Sequence, residues 1–256
     1  MMENVLTKCR DLKFKAFTEN LERVLDESSK KNWPALRTIE HLLDLELEKR
    51  KLAKIDSCFR NSRLSEKFTI ENFDFSFTPS RKENKARILK LLDLEFIKDK
   101  KDIIFIGNPG GGKTFLAKCI AYAATQAGIK TLFTTTMEMI NQLLASDAKT
   151  LLKRLNYYNS FDLLICDEIG YLPLGKNGAS MFFQVISERH LKGSTIISTN
   201  LTFSEWGNIF DDTIIATAIA DRLVENSEII ILEGQSYRKR DKKQIRKLEL
   251  IGGLPE

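Results

Sequence analysis

One short run in the middle of the chain limits its fold and chemistry more than any other feature. An apolar stretch at residues 102–105 leads into Ile106 and then Gly107-Asn108-Pro109-Gly110-Gly111-Gly112-Lys113-Thr114. This is the pattern G-x-x-x-x-G-K-[ST]. Its glycines let successive backbone N–H groups turn toward one phosphate, at the positive end of the helix that follows.

The run therefore predicts a P-loop rather than an ordinary glycine-rich turn. We expect residues 107–115, ending at Phe115, to bind a nucleoside triphosphate. Lys113 would contact the β- and γ-phosphates, and the Thr114 hydroxyl would ligate Mg²⁺. The next residues support this prediction because they place apolar side chains at helical spacing: Leu116, Cys119, Ile120, Ala123, Ala124 and Ala127.

A second apolar strand pattern, at residues 162–167, ends in the adjacent carboxylates Asp167 and Glu168. Alone, two acids at a strand end usually mark a solvated turn. Downstream of a P-loop they predict a Walker B site, in which Asp167 reaches Mg²⁺ and Glu168 polarises the attacking water. We expect this strand to lie beside the strand that feeds the loop. Asn200 follows a third such strand, and is either a γ-phosphate contact or an ordinary strand terminator.

Apolar strands alternate with helical patterns through most of the chain, which predicts an α/β fold with a parallel sheet covered on both faces. The predicted strands are residues 102–106, 130–134, 162–167, 194–199 and 228–232; predicted helices include 179–191 and 216–223. Ser80-Arg81-Lys82-Glu83 predicts a capping box that opens a helix with Ile88, Leu89, Leu92 and Phe96 inward.

The first 75 residues differ, because only helical patterns occur there. Leu36, Ile39, Leu43 and Leu47, for example, form one apolar helix face. Aromatic, extended sequence at 68–77 breaks the pattern. We therefore expect an all-helical domain at 1–75, an ATPase domain at 76–238 and a basic tail at 239–256.

Positive charge is concentrated in two segments. Residues 49–67 carry a local charge of +5 and residues 238–247 carry +6; since the whole chain carries +5, the remainder carries −6. Such clusters are typical of contacts with nucleic-acid phosphates, although each also fits a solvated helix face or tail. The candidate DNA contacts are Lys49, Arg50, Lys51, Lys54, Arg60, Arg63, Lys239, Arg240, Lys242 and Lys243.

Composition excludes several other classes of protein. No stretch approaches the roughly 20 apolar residues of a membrane span, and the charged amino terminus does not resemble a signal peptide, so we expect a cytoplasmic protein without membrane contact. The four cysteines are far apart and form no zinc or disulfide pattern. Two histidines leave little scope for histidine-based acid–base catalysis.

Taken in order, the motifs resemble those of the IstB-like helper ATPases of insertion sequences, AAA+ proteins related to the DnaC-type helicase loaders. The resemblance covers nearly the whole chain. Beyond the P-loop it lies in Asp167-Glu168 and the following residues 169–174, in 183–189, in Ser198-Thr199-Asn200-Leu201 with 203–207, in Asp221-Arg222-Leu223 and in 233–238. Gly111 departs from the pattern, since relatives more often carry Thr or Val, and this predicts a looser loop.

The resemblance implies roles that the residues alone do not. Arg222 matches the arginine finger, which AAA+ assemblies present to the ATP of a neighbouring subunit, and Arg238 matches the sensor-2 arginine that acts on its own nucleotide. It also implies a homo-oligomer, as a ring, spiral or filament.

The implied activity is a DNA-stimulated ATPase, with ATP and Mg²⁺ as cofactors. In its ATP state it would assemble on double-stranded target DNA, deform it, and recruit or activate the cognate transposase. A helicase loader of the DnaC type shares every ATP-site residue and is the main alternative. A non-hydrolysing scaffold has no need of Glu168, and a small-molecule kinase would need an acceptor pocket for which no motif is visible.

Overall fold

The computed structural model describes residues 2–239, so the predicted DNA contacts Arg240, Lys242 and Lys243 lie outside the described residues. The chain divides into two compact units, Met1–Ser57 and Cys58–Glu256. The division falls earlier than the boundary near residue 75 that the sequence predicts. The aromatic segment before residue 78 belongs with the larger unit, because Phe68, Ile70, Phe73 and Phe75 pack into its core.

The smaller unit is helical, as predicted. Its core is formed by Leu21, Val24 and Leu42. The Glu46 carboxylate joins the second helix to the third, since its Oε2 accepts hydrogen bonds from the backbone N–H groups of Ala16 (2.7 Å) and Phe17 (3.2 Å). The helices are α1 (Met2–Asp11), α2 (Lys15–Lys30) and α3 (Ala35–Asn61), the last of which continues into the larger unit.

The periodic apolar face of α3 is not part of that core. Leu36, Ile39, Leu43 and Leu47 remain 80%, 50%, 40% and 64% exposed. The neighbouring face, with Leu42 and Leu45, is the one that packs inward. A helical period identifies an apolar face, but the face that meets the other helices depends on tertiary packing.

The larger unit contains the predicted five strands and the helices between them. Its strands are β1 (Asp102–Gly107), β2 (Thr131–Thr135), β3 (Leu163–Ile169), β4 (Ser194–Thr199) and β5 (Ser227–Leu232). Its helices are α4 (Pro79–Glu83), α5 (Lys85–Leu91), α6 (Glu95–Lys98), α7 (Lys113–Gln126), α8 (Thr136–Leu144), α9 (Ala148–Asn159), α10 (Gly175–Arg189), α11 (Trp206–Phe210) and α12 (Thr213–Glu225).

All the strand pairs are parallel, and the strand order is β2-β3-β4-β1-β5. The expectation that the strand carrying Asp167 lies beside the strand feeding the loop is wrong, because β4 lies between β3 and β1. Ile103 and Ile104 of β1 are in register with Ile196 and Ile197 of β4. Each strand looks alike in sequence, so its pattern predicts burial but not its place in the order.

Both faces of the sheet are covered, as predicted. Ile104 of β1 faces a core built with α8, α10 and α12, whereas its neighbour Phe105 faces a second core built with α5 and α7. The alternation follows from the period of two along a strand. Loops at the carboxyl ends of the strands are thereby held on a rigid base.

The predicted capping box at residues 80–83 is wrong. Thr78 is the N-cap of α4, accepting a hydrogen bond from the Arg81 N–H, and Pro79 takes the first helical position, which suits its fixed φ. The Ser80 hydroxyl instead donates to the Ile231 carbonyl of β5. Three short helices, α4 to α6, replace the single predicted helix. Within residues 2–239 we find no helix with both the length and the hydropathy to cross a membrane.

Candidate nucleotide-binding site

The first and last glycines of the loop between β1 and α7, Gly107 and Gly112, cannot be replaced by a larger residue without strain. Gly107 has φ +153°, and a Cβ there would lie 2.1 Å from the Leu232 carbonyl oxygen of β5. Gly112, the N-cap of α7, has φ +100°, and a Cβ there would lie 2.6 Å from the Phe73 ring. Other residues would be strained and would clash at either position. The loop thus has the backbone that a P-loop needs.

Lys113 is the first residue of α7 and is only 9% exposed. Its Nζ donates to the carbonyl oxygens of Gly107 (2.6 Å) and Asn108 (3.1 Å). Burial lowers the pKa of Lys113, while the nearby Asp167 carboxylate opposes that shift. The ammonium is therefore held inside the loop, where a phosphate would compensate its lost hydration.

Thr114 and Asp167 meet across the intervening strand β4. The Thr114 hydroxyl donates to Asp167 Oδ1 over 3.0 Å, and the Ser198 hydroxyl of β4 donates to the same oxygen. A hydroxyl and a carboxylate oxygen side by side are the hard ligands that Mg²⁺ takes together with phosphate oxygens. The side chains present therefore fit the predicted metal, with Thr114 and Asp167 as its protein ligands.

Glu168 lies on an irregular part of β3. The register with β4 shifts between Cys166 and Ile169, and Glu168 adopts a left-handed φ of +61°. Its N–H donates to the Ser198 hydroxyl over 3.0 Å, and its side chain is exposed. A non-glycine residue in this region is uncommon, and such strain concentrates at functional sites.

A cavity of about 250 Å³ opens beside the loop. Loop residues Gly110, Gly112, Lys113 and Thr114 line one side of it, and the remaining lining residues are Asn72, Phe73, Asp74, Arg81, Phe115, Tyr237 and Arg238. Phe115 stacks on Phe73, with ring centroids 6.1 Å apart. The charge of Arg238 contributes to lowering the pKa of Lys113. Arg238 thus lies beside the loop of its own chain, and its role as a sensor-2 arginine remains a prediction.

Two residues of this site were missed by the sequence analysis. Arg81 is 3% exposed and donates from Nε to the Gly111 carbonyl, and Tyr237 donates from its backbone N–H to the Gly110 carbonyl. Tyr237 lies in the family segment 233–238, but only its neighbour Arg238 was assigned a role there. Arg81 lies in the predicted capping box, and its contact with the loop depends on how residues 73–81 pack.

The two remaining predicted catalytic residues occupy different places. Asn200 directly follows β4 and is exposed, at the carboxyl edge of the sheet where the loop also lies. Arg222 is on α12, where its guanidinium lies 4.6 Å from the centre of the Phe183 ring and donates to the Ala218 carbonyl. Among the described lining residues of the 250 Å³ cavity, Arg238 is present and Arg222 is not.

Several predicted DNA contacts already have partners within the chain. Lys49 pairs with Glu19 at 2.5 Å and Arg50 with Glu46 at 2.8 Å. Arg63 pairs with Glu138 at 2.7 Å. Arg60 also makes an interaction. By contrast, Lys51 and Lys54 take part in none of the ion pairs found among residues 2–239, and both are exposed, as is Lys239. The structure thus separates paired from free cations within the first basic segment.

Comparison with known proteins agrees with the geometry of the loop. Residues 7–245 match the family of IstB-like ATP-binding proteins. The chain belongs to this family. It is 37% identical over 244 residues to the ATP-binding protein of insertion sequence IS5376 from Geobacillus stearothermophilus, covering 95% of this chain and 96% of the relative. It is 33% identical to the ATP-binding protein of IS21 from Pseudomonas aeruginosa, covering 91% and 88%. It is therefore an ATP-binding protein of the type encoded by IS21-like insertion sequences.

Solved structures agree on the fold. The chain resembles the DnaC helicase loader with a TM-score of 0.53 at 18% identity, covering 64% of this chain and 96% of that one. It resembles AMPPCP-bound DnaA from Aquifex aeolicus with a TM-score of 0.55 at 20% identity, covering 76% and 59%. The IstB-like protein thus has the AAA+ P-loop fold, as the sequence predicts.

Proposed function

We propose that this IstB-like protein is an ATPase that controls transposition by assembling on DNA. In the ATP state, several copies bind double-stranded target DNA, deform it, and recruit or activate the transposase of the same insertion sequence. ATP hydrolysis dismantles the assembly. The observation that carries this proposal is the 3.0 Å contact between Thr114 and Asp167 beside the buried Lys113, in a chain of an insertion-sequence family.

The chemistry proposed for the site is hydrolysis of the γ-phosphate. The loop N–H groups and Lys113 bind the phosphates, while Arg238 approaches from the segment after β5. Thr114 and Asp167 would hold Mg²⁺, which when bound would supply positive charge to the phosphate oxygens. The Glu168 carboxylate accepts a proton from water as the water oxygen attacks phosphorus and the bond to the β-phosphate oxygen breaks. Asn200 orients that water or the γ-phosphate.

Assembly of several copies is supported by the family resemblance at Arg222 and by the energetics of DNA bending. The resemblance matches Arg222 to the arginine finger of AAA+ assemblies, so we assign it to the ATP of a neighbouring copy. Bending a site of 20–30 base pairs costs on the order of 1–6 kcal/mol, which the phosphate contacts of one subunit would hardly sustain. An assembly of several subunits on the DNA would share the free energy of bending among their phosphate contacts.

The exposed basic residues are the proposed DNA contacts. Lys51 and Lys54 are the best placed in the first basic segment, because their charges are not already compensated. Contacts of this kind bind the phosphate backbone and carry no base information, so we expect little preference for sequence. The transposase would be the source of any further selectivity.

Two substitutions separate binding from hydrolysis. Lys113→Ala removes the ammonium group that supplies the main positive charge to the phosphates, so it should abolish ATP binding. Glu168→Gln should bind ATP and fail to hydrolyse it. We therefore expect Glu168→Gln to accumulate as long-lived oligomers on duplex DNA with ATP and Lys113→Ala to remain unassembled. Electron microscopy and sedimentation velocity of each variant with duplex DNA measure this difference.

An exposed ion pair on α10 and the loop after it supplies the matched controls. Lys192→Ala and Glu188→Gln change the same residue types away from the loop and should behave like the wild type. Equal assembly by Lys113→Ala and Glu168→Gln would contradict control by the ATP state. Recovery of a replicative helicase instead of the transposase in a pull-down would favour a helicase loader.

A further inference from the structure

The guanidinium of Arg81 occupies an unusual position for a charged group. It is buried at the start of α4, where Nε donates to the Gly111 carbonyl over 3.2 Å and Nη1 donates to the Asp74 carbonyl over 3.0 Å. Burial lowers the pKa of Arg81, while Asp74 and Tyr237 oppose that shift. A buried charge is costly unless its surroundings compensate it, so these contacts fix its position.

Three aromatic rings surround this guanidinium. Its Cζ lies 4.4 Å from the centre of the Phe73 ring and 5.1 Å from the centres of both the Phe77 and Tyr237 rings. Phe77 and Tyr237 also meet edge to face at 4.8 Å. The attraction between a cation and an aromatic face is stronger when the contact is desolvated, as it is for this buried guanidinium. Arg81 therefore joins three separate parts of the chain: the segment before α4, the P-loop and the segment after β5.

The segment at residues 233–238, which we call the C-terminal strap, lies directly on the P-loop. The Tyr237 N–H donates to the Gly110 carbonyl over 3.1 Å. Ser236 fills the space beside Gly110, since a Cβ on that glycine would lie 2.1 Å from the Ser236 hydroxyl oxygen. The next residue, Arg238, lines the cavity. The position of Arg238 is thus set by how the strap is held against the loop.

The middle of the P-loop needs such support. Gly110, Gly111 and Gly112 are consecutive, and glycine restricts the backbone less than any other residue. The carbonyl of Gly111, the central glycine, accepts the Arg81 Nε–H, while the flanking Gly110 carbonyl is bonded by the strap. Side-chain and strap contacts thereby hold a segment that has little stiffness of its own.

We propose that Arg81 is a positioning residue that fixes the P-loop and the C-terminal strap relative to each other, and so sets ATP affinity through Arg238. This role rests on ATP binding at the P-loop. It predicts that Arg81 and Arg238 are energetically coupled, although no direct contact between them is required. A purely structural Arg81 would stabilise the fold without that coupling.

The first test measures binding of a non-hydrolysable ATP analogue by the full chain. Arg81→Met removes the charge and both hydrogen bonds, and should weaken binding roughly tenfold. Arg81→Lys keeps the charge but lacks the planar fork that reaches two carbonyls, so it should recover only part of the loss. Arg87→Met is the matched control, because Arg87 is exposed on α5 and pairs with Glu228. The affinity of Arg87→Met for the ATP analogue should equal that of the wild type.

A double-mutant cycle decides how Arg81 acts. If Arg81 works through the strap, Arg81→Met should weaken binding much less in an Arg238→Ala background than in the wild type. Losses that multiply in the double variant would overturn the proposal. Melting temperatures of all four proteins show whether each remains folded at the temperature of the titration.

A second variant approaches the same contact from the strap, in case Arg81→Met does not fold. Tyr237→Ala removes the ring that covers Arg81 and should weaken binding as Arg81→Met does, whereas Tyr237→Phe keeps the ring and should bind more tightly than Tyr237→Ala. Equal affinity of Tyr237→Ala and the wild type would overturn the proposal. Failure of the wild type to bind the analogue would instead overturn ATP binding itself, and with it the premise for Arg81.

Discussion

The hydroxyl of Ser198 connects the two acidic residues of the site. It donates to the Asp167 carboxylate and accepts a hydrogen bond from the Glu168 N–H. One small side chain on β4 therefore orients a predicted metal ligand and holds the backbone of the predicted base in its left-handed conformation. Replacing a residue that orients a metal ligand in this way typically costs roughly 10- to 100-fold in metal affinity or activity.

Replacing Ser198 should impair hydrolysis more than nucleotide binding. Ser198→Ala removes both hydrogen bonds, and we expect the ATPase rate to fall roughly 10- to 100-fold with a higher Mg²⁺ requirement. Ser198→Thr keeps the hydroxyl and should retain more of the rate. Steady-state ATPase assays over a series of Mg²⁺ concentrations measure both effects.

Ser194→Ala provides the control within the same strand. Ser194 is also buried in β4, but it lies at the opposite end, where its hydroxyl donates to the Phe96 carbonyl. This substitution removes a buried hydroxyl of the same kind away from the carboxylates. A rate for Ser198→Ala no lower than that for Ser194→Ala would show that Ser198 acts only through stability.

At the scale of secondary-structure elements, the sequence predicted most of what positions the site. Residues 194–199 match β4 at both ends. Predicted β1 and β5 differ from the structure by one residue at one end, and predicted β2 and β3 differ by one or two residues at both ends. Lys113, Thr114 and Asp167 meet as predicted, because a glycine-rich loop and a strand end constrain the backbone locally.

What could not be predicted depends on contacts between distant segments. The place of β4 between β1 and β3 depends on how the crossovers pack, and no single strand encodes it. Arg81 lies in a segment that the sequence assigned to a capping box. Its burial arises only when Phe73, Phe77 and Tyr237 come together. The exposed leucines of α3 have the same cause, since periodicity alone does not choose the packed face.

The basic part of α3 offers a prediction that belongs to this scale. If Lys51 and Lys54 neutralise DNA phosphates, log K for duplex binding should fall linearly with log salt concentration. The double variant Lys51→Gln/Lys54→Gln should then flatten that slope by about 0.9 for each phosphate that is no longer neutralised. The loss of affinity should be similar for duplexes of unrelated sequence. Fluorescence anisotropy at several salt concentrations gives the slope.

The matched control changes two lysines that are already paired. Lys98 and Lys101 are exposed near the amino end of β1 and pair with Glu95 and Asp99. Lys98→Gln/Lys101→Gln alters the net charge equally, so it corrects for the overall field of the protein. If both double variants show the wild-type slope of log K against log salt concentration, Lys51 and Lys54 do not neutralise phosphates. They then belong to a solvated helix face.

At the scale of the whole molecule, the two arginines implied by the family lie at different places relative to the cavity beside the P-loop. Arg238 lines the cavity beside its own P-loop. Arg222 is held on α12 against Phe183 of α10, outside the described lining of that cavity. With Arg222 assigned to a neighbouring copy, a complete hydrolytic site requires a second chain, which makes catalysis depend on assembly. On this proposal, DNA would stimulate turnover by gathering subunits.

Mixing two inactive variants tests that dependence. Arg222→Ala should bind ATP but lose most turnover, since an arginine finger contributes roughly 10³–10⁵ in rate. Lys113→Ala lacks a working pocket but keeps its finger. Mixed on duplex DNA, the two should recover part of the ATPase rate, because a Lys113→Ala subunit presents Arg222 to the intact pocket of its neighbour. The control mixture pairs Arg222→Ala with the double variant Lys113→Ala/Arg222→Ala, which has no finger to present and should stay inactive. Equal rates in the two mixtures, with co-assembly shown by sedimentation, would place the action of Arg222 within its own subunit.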